Sequence, residues 1–301
     1  ISFLLHDLFL ILINFFYRNK YNIKTIAKIR EEIMADKNIP YNQIFRLMEP
    51  DYNDSNRKPL ILPAHIKYKV ENKIKKINNL KFGNKKIVAI YIRYKGTDKE
   101  HFHELVRSSS ELKEYFPIFD YLIDQNFLIF LYGDYSYKDL KNYNNHKSII
   151  TNELVKLDRH SVCLYASLSC DYFIASAGGG AYFPFSRKIY PKTLILNAMP
   201  FDFALPNATV VYKNAMDSMG NLIEGEKLLN NFSKNYKING HEIISNSKSL
   251  MLESLVEFMQ FHNKSIFGQS STEKLLKLPK NSIYARYNLR ISPVWLKYNS
   301  N

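Results

Sequence analysis

Ile87-Val88-Ala89-Ile90-Tyr91-Ile92-Arg93-Tyr94-Lys95-Gly96-Thr97-Asp98 is the stretch on which the fold class turns. Six apolar or aromatic residues in succession predict a strand buried on both faces, as in the interior of a parallel sheet. Arg93 stands at the strand's carboxyl end, and a turn carrying Lys95, Gly96 and Asp98 follows. Open α/β sheets bind ligands at that edge, beside strand ends and helix amino termini. An arginine offers a planar fork of donors and a lysine a point charge, a pair that suits a diphosphate. Read alone, the same residues also describe a strand that ends in a charged surface turn.

A second turn of the same kind lies in Cys170-Asp171-Tyr172-Phe173-Ile174-Ala175-Ser176-Ala177-Gly178-Gly179-Gly180. A short apolar strand runs into Ser176 and then Gly178, Gly179 and Gly180. Glycine lacks a Cβ, so a phosphate can approach the backbone N–H groups at the head of a following helix. No Lys-Ser or Lys-Thr follows the glycines, which excludes a P-loop. The G-x-G-x-x-G spacing of a dinucleotide fingerprint is absent as well.

Between and beyond these turns the texture alternates. Strands are expected at Ile87–Tyr91, Leu128–Tyr132, Ser148–Ile150, Tyr172–Ala175, Lys192–Leu196 (ending at Asn197) and Thr209–Tyr212. Helices are expected at Ser110–Gln125, Ser161–Leu168, Gly225–Asn235 and Lys248–His262. Strands separated by ten or more helical residues imply right-handed βαβ units: a mostly parallel, Rossmann-type sheet with helices on both faces. Upstream, Pro63–Leu80 reads as one charged helix with Ile66, Val70, Ile74 and Ile77 on one side. Helical patterns also cover Thr25–Ala35 and Tyr41–Met48, and the polar run Glu49–Pro59 reads as a loop or boundary.

Of the 301 residues 46% are hydrophobic and 14% aromatic, enough to fill a large core. The two cysteines, Cys163 and Cys170, read as buried thiols of a reducing compartment, with no second pair to complete a zinc site. A net charge of +14 raises the question of nucleic acid. The lysines are dispersed among Asn, Tyr and apolar residues, however, and no zinc finger, RNA-recognition motif or compact basic helix is present. Nucleic acid is therefore not an expected partner; a phosphorylated substrate or an anionic membrane surface accounts for the charge equally well.

Ile1–Tyr17 is almost wholly apolar, about a turn short of the roughly 20 residues of a membrane span, and lacks the basic start of a signal peptide. It reads as a core or interdomain helix, or as a helix lying on a membrane surface. The chain opens without Met, as a fragment would, so an upstream segment is expected to be missing.

The order of several short motifs is familiar. After the Arg93 turn come Pro117-Ile118-Phe119-Asp120-Tyr121-Leu122, Phe130-Leu131-Tyr132-Gly133-Asp134 and the strand leading into the glycine turn. Leu196-Asn197-Ala198-Met199-Pro200, Gly220-Asn221-Leu222 with Glu226, and Arg290-Ile291-Ser292-Pro293 complete it. The order resembles a family of bacterial glycosyltransferases found among surface-polysaccharide genes, over about residues 60–298. A more distant similarity is to the fucosyltransferase group, whose donor domain opens with His-x-Arg at a strand end. Tyr91-Ile92-Arg93 occupies that place: Arg93 matches the arginine that contacts the donor diphosphate, while Tyr91 replaces the histidine, so no histidine role and no GDP-fucose preference carry over.

The resemblance implies a GT-B-like architecture. Residues 1–84 would be a helical, acceptor-side region, 85–262 the nucleotide-sugar-binding Rossmann-type domain, and 263–301 a tail packing back. It implies a nucleotide-sugar donor, no other cofactor, and a glycan or lipid-linked acceptor in capsule or lipooligosaccharide synthesis. The expected location is cytoplasmic, peripheral at the inner membrane. Donor contacts are expected from Arg93, Lys95, Gly96, Ser176, Gly178, Gly179, Gly180 and Asn197. No Asp-x-Asp triplet is available to hold a metal between diphosphate oxygens, so a metal-independent mechanism is expected, with Arg93 stabilising the leaving group. Asp98, His103 and Glu104, in the loop after Arg93, and Asp134 at the next strand end are candidates for the base. His160 reads as part of a helix start. A non-catalytic glycan- or nucleotide-binding module and a sugar phosphoryl transferase would use the same cationic turn.

Overall fold

The computed structural model describes residues 59–78, 85–93, 111–143, 146–176, 179–198, 205–225, 227–228, 242–263 and 289–300. The chain divides at residues 55 and 56, and every described residue belongs to the second unit. Ile1–Tyr17 and the helical patterns at Thr25–Ala35 and Tyr41–Met48 lie outside the described residues.

The strands are β1 (Ile87–Arg93), β2 (Leu128–Asp134), β3 (Ile149–Ile150), β4 (Tyr172–Ala175), β5 (Lys192–Ala198), β6 (Thr209–Tyr212), β7 (Asn214–Met216), β8 (Glu242–Ile244) and β9 (Arg290–Ile291). Seven of them form one sheet in the order β3-β2-β1-β4-β5-β6-β9, and every pairing is parallel. This is the doubly wound, Rossmann-like order, in which the chain leaves β1 in one direction and later returns to its other side. The switch point is the crevice between β1 and β4. A separate antiparallel pair joins β7 to β8; nothing in the local pattern of either segment announces a partner so distant in sequence.

β1 is the centre of the core, with Val88, Ala89, Ile90 and Ile92 fully buried. The helices are α1 (Ala64–Asn78), α2 (Phe116–Asp124), α3 (Asn152–Val155), α4 (Arg159–Ser169), α5 (Lys248–Asn263) and α6 (Pro293–Tyr298). α4 packs on β1 and β2, with α1 outside it; α2, α5 and α6 pack together on the other face. Strand alternation assigns the faces. Phe130 meets Tyr165 of α4 at 5.2 Å between ring centroids, and Tyr172 meets Phe258 of α5 at 6.2 Å. α1 is tied to α4 by Glu71, which accepts from the Tyr165 hydroxyl at 3.2 Å, and by the Lys69–Asp158 ion pair at 3.2 Å. Its Val70 and Ile74 are buried, whereas Ile77 is exposed.

Two elements depart from expectation. The helix expected over Ser110–Gln125 is a 3-10 turn at Leu112–Tyr115 followed by α2. Pro117 accounts for this: without an N–H it fits only the first turn of an α-helix. The glycine turn likewise leads into a 3-10 run, Gly179–Ser186, with Pro184 inside it, and no α-helix follows. The N–H cluster expected at an α-helix head is accordingly replaced by a tighter, shorter turn.

Candidate functional site

Arg93 is the last residue of β1, and Ala175, the last of β4, lies beside Tyr91 in the register. The two singled-out turns therefore leave the sheet side by side at its carboxyl edge, at the switch point. A hydrogen bond joins them: the Arg93 N–H donates to Ser176 Oγ at 2.9 Å, while Ser176 N–H donates to the Tyr91 carbonyl at 3.1 Å. Ser176 is 1% exposed, so its hydroxyl is committed to bridging the strands. Arg93 is half-buried, its side chain on the α4 face.

Gly180 explains one glycine of the turn. A Cβ there would lie 2.5 Å from the Tyr91 ring, so the backbone rests directly on that aromatic face. Tyr91 is in turn 5.5 Å from Tyr132 between centroids, and the Tyr132 hydroxyl accepts from Ser167 Oγ at 3.1 Å. Burial pushes the Tyr132 phenol well above its ordinary range, which keeps it neutral. The aromatic pair forms an apolar floor under the glycine turn.

On the other side of β1, Asp134 ends β2 in register with Arg93. Alternation puts both side chains on the same sheet face, and Asp134 is exposed. The residue before it, Gly133, has φ of +124°, and a Cβ would lie 2.0 Å from the Ile92 carbonyl oxygen. Only glycine allows β1 and β2 to stay paired at this point.

Arg159 is a cation that reading the sequence for strand ends missed. It is the first residue of α4 and donates to the Gly133 carbonyl. Its helix starts where Asp158 Oδ1 accepts from the Ser161 N–H at 2.8 Å. The cap hydrogen bonds, with Lys69 nearby, hold the Asp158 carboxyl down at about 2. The signal was available: a helix that follows a strand in a parallel sheet begins at the carboxyl edge, so a first-turn Arg belongs there. His160, its neighbour, is exposed in that first turn.

Asn197 stands apart from the donor contacts expected of it. The pairing of β5 with β6 shifts between Ile195 and Ala198, and Asn197 has φ of +55°. This bulge re-aims the side chain toward α5. Its Oδ1 accepts from the Asn246 N–H at 2.7 Å, and its Nδ2 contacts Met251 Sδ at 3.4 Å. Asn197 is thus a buried fastener between β5 and α5.

Lys95, Gly96, Asp98, His103, Glu104 and Gly178 lie outside the described residues. Beside the start of α2, Glu111, Leu112, Lys113, Phe116 and Asp139 line a cavity of about 310 Å³. Among the described residues no group of three or more His, Cys, Asp or Glu is placed to hold a metal ion. Both cysteines are free thiols, and burial pushes Cys170 up to about 12. Among the described residues no helix is long and apolar enough to cross a membrane. No protein-family model, curated protein or solved structure matches the chain.

Proposed function

We propose that the chain is a glycosyltransferase of GT-B-like type that takes a nucleotide-sugar donor at the switch point of its sheet. The observation that carries the reading is the bridged pair of turns: Arg93 and the Ser176–Gly180 segment, joined at 2.9 Å where β1 and β4 diverge. A diphosphate set there meets the Arg93 guanidinium on one side and, on the other, the glycine backbone that opens the 3-10 run, where no Cβ stands in the way. Lys95 and Gly96 follow Arg93 in the chain. The floor of Tyr91 and Tyr132 shields the contact from water, which strengthens it.

The acceptor hydroxyl oxygen forms a bond to the donor's anomeric carbon as the bond from that carbon to the diphosphate oxygen breaks. Negative charge grows on the departing nucleoside diphosphate, and Arg93 meets it. The hydroxyl proton passes to a carboxylate. Asp134, beside Arg93 in the register of β1 and β2, is one candidate, and Asp98 and Glu104 are the others. The cavity lined by Glu111, Lys113 and Asp139 together with Leu112 and Phe116 offers charged donors and acceptors beside apolar walls, a mixture that suits a hydroxyl-rich acceptor. The acceptor is a glycan or lipid-linked glycan of surface polysaccharide. Residues 1–20, apolar and then basic, hold the enzyme at the cytoplasmic face of an anionic membrane.

Thermal-shift screening of UDP-, GDP- and CMP-sugars tests the reading. One donor class should raise the melting temperature in the wild type and fail to do so in Arg93→Ala. A wild-type protein indifferent to all three classes would overturn it.

A further inference from the structure

α5 runs against the strand direction. At its carboxyl end Lys192 Nζ donates to the His262 carbonyl at 3.1 Å, and the Tyr172 hydroxyl donates to Asn263 Oδ1 at 2.8 Å. Lys192 and Tyr172 are the first residues of β5 and β4. The amino end of α5 is fastened to Asn197, near the end of β5. This 16-residue helix therefore opens at the same carboxyl edge as Arg93. Ser247 Oγ accepts from the Leu250 N–H at 3.3 Å, the geometry of a cap. The first turn contains no acidic residue, and it contains Lys248, so the positive end of the helix is not neutralised from within.

Asn246 immediately precedes that cap and is 2% exposed. Its backbone N–H is bonded to Asn197, yet Oδ1 and Nδ2 of its side chain are both buried with no hydrogen-bond partner among the described residues. Burying a carboxamide and leaving both ends unsatisfied is unfavourable, and folded proteins rarely do so without another reason. A carboxamide presents a donor and an acceptor side by side, so its complement is a group with the same pair reversed. The edge of a nucleobase has that pattern, and so do the adjacent hydroxyls of a ribose. β5 lies two strands from β1, about 10 Å at ordinary strand spacing. Arg93 lies on the α4 face and Asn246 at the head of α5 on the other, so a nucleoside diphosphate with its phosphates at Arg93 would reach Asn246 by lying across the carboxyl edge of β4 and β5.

We infer that Asn246, at the mouth of α5, is the nucleoside-binding residue of this site, taking the base edge or the ribose of the nucleotide whose diphosphate lies at Arg93. The inference rests on the nucleotide reading above and adds a second anchor to it. Calorimetric titration of the full chain with UDP, GDP, CDP and inorganic pyrophosphate tests it, using Asn246→Leu and Asn246→Ala. The wild type should bind one nucleoside diphosphate more tightly than pyrophosphate. Both variants should lose at least about tenfold of that affinity, the equivalent of one good hydrogen bond, and keep pyrophosphate within about twofold. Loss with one base alone assigns the amide to the base edge; equal loss with all three assigns it to the ribose.

Without ligand, both variants should melt no lower than the wild type, because an unsatisfied polar group has been removed. A drop of more than about 5 °C in both would mean that the amide serves the fold, and would overturn the inference while leaving the nucleotide reading intact. Unchanged nucleotide affinity, equal weakening of pyrophosphate, or a wild type that prefers no nucleoside diphosphate to pyrophosphate would overturn it in the same way. A wild type that binds neither nucleotides nor pyrophosphate would instead remove the nucleotide reading, and this inference with it.

Discussion

The two ends of the parallel sheet are built on opposite terms. At the amino edge polar groups close on one another. Asp171 accepts from the Ile87 N–H at 2.8 Å and donates its own N–H back to the Ile87 carbonyl at 2.9 Å. Lys86 and Lys192 sit over the Tyr172 ring at 5.8 and 5.1 Å, and Arg187 donates to the Cys170 carbonyl at 2.8 Å. Positive φ occurs at both edges, at Asn126 and Asn207 before β2 and β6 and at Gly133 and Asn197 in β2 and β5. What sets the carboxyl edge apart is Gly133, where a Cβ would lie 2.0 Å from the Ile92 carbonyl oxygen, and the carboxamide of Asn246, buried with both ends unsatisfied. The amino edge closes most of its polar groups on one another, His262 Nε2 being an exception, whereas the carboxyl edge combines a tightly constrained backbone with an unsatisfied carboxamide.

The sharpest break in that contrast would come from Gly133→Ala. A Cβ against the Ile92 carbonyl, on a backbone at φ of +124°, must push β1 from β2. The expected loss is about 3 kcal/mol or more, read as a fall of roughly 6–12 °C in melting temperature or as failure to accumulate folded protein. A variant as stable as the wild type would mean that the strand ends tolerate separation.

Arg93→Ala should leave melting within about 2 °C of the wild type, since the side chain lies outside the buried run of β1, while transfer falls about 10²–10³-fold. Steady-state rates with the donor found by thermal shift check it, and wild-type turnover would remove Arg93 from the mechanism. At the opposite edge, Asp171→Ala should do the reverse. Losing the acceptor for Ile87 costs about 1–2 kcal/mol by denaturant titration, and nucleotide affinity should not move.

The smallest effect expected is in pH dependence. Burial, with Lys192 and Arg290 nearby, pulls His262 down to about 4, below its ordinary 6.5. The unfolded chain therefore takes up the proton first, and stability that is full above pH 6.5 is lost as pH falls toward 4. His262 is only partly buried, so the contribution is held to about 1 kcal/mol or less by solvent screening. Comparing melting at pH 7.5 and 4.5 should show a slightly smaller drop in His262→Gln than in the wild type; equal drops would remove His262 from the pH response.

Much of the sheet was legible because its strands are buried on both faces and read as apolar runs. Tyr172–Ala175 and Thr209–Tyr212 appear in the structure with the expected bounds. β7, β8 and the two-residue β9 were not, because pairing between distant segments leaves no local pattern. Of the site, Arg93, Ser176, Gly180 and Asp134 could be placed from strand ends alone. Arg159 required knowing where a crossover helix begins. Asn197 misled, because a bulge that turns a side chain to the other face has no signature in residue type. Asn246 was invisible for a related reason: an asparagine before a helix reads as capping chemistry, and only its burial shows that the side chain is unspent.

Among the described residues the sheet ends on both sides in strands of two residues, β3 and β9. Such short borders offer a neighbouring chain little ladder to extend, and at the β9 border Arg290 is held by Glu257 through two hydrogen bonds. A wide parallel sheet of Ile, Val, Phe and Leu is the sort of surface that recruits further strands when its border is long and flat. Brevity at both margins makes self-association by strand addition unfavourable, so this sheet should resist fibrillation at concentrations where a longer-bordered sheet of similar composition would not.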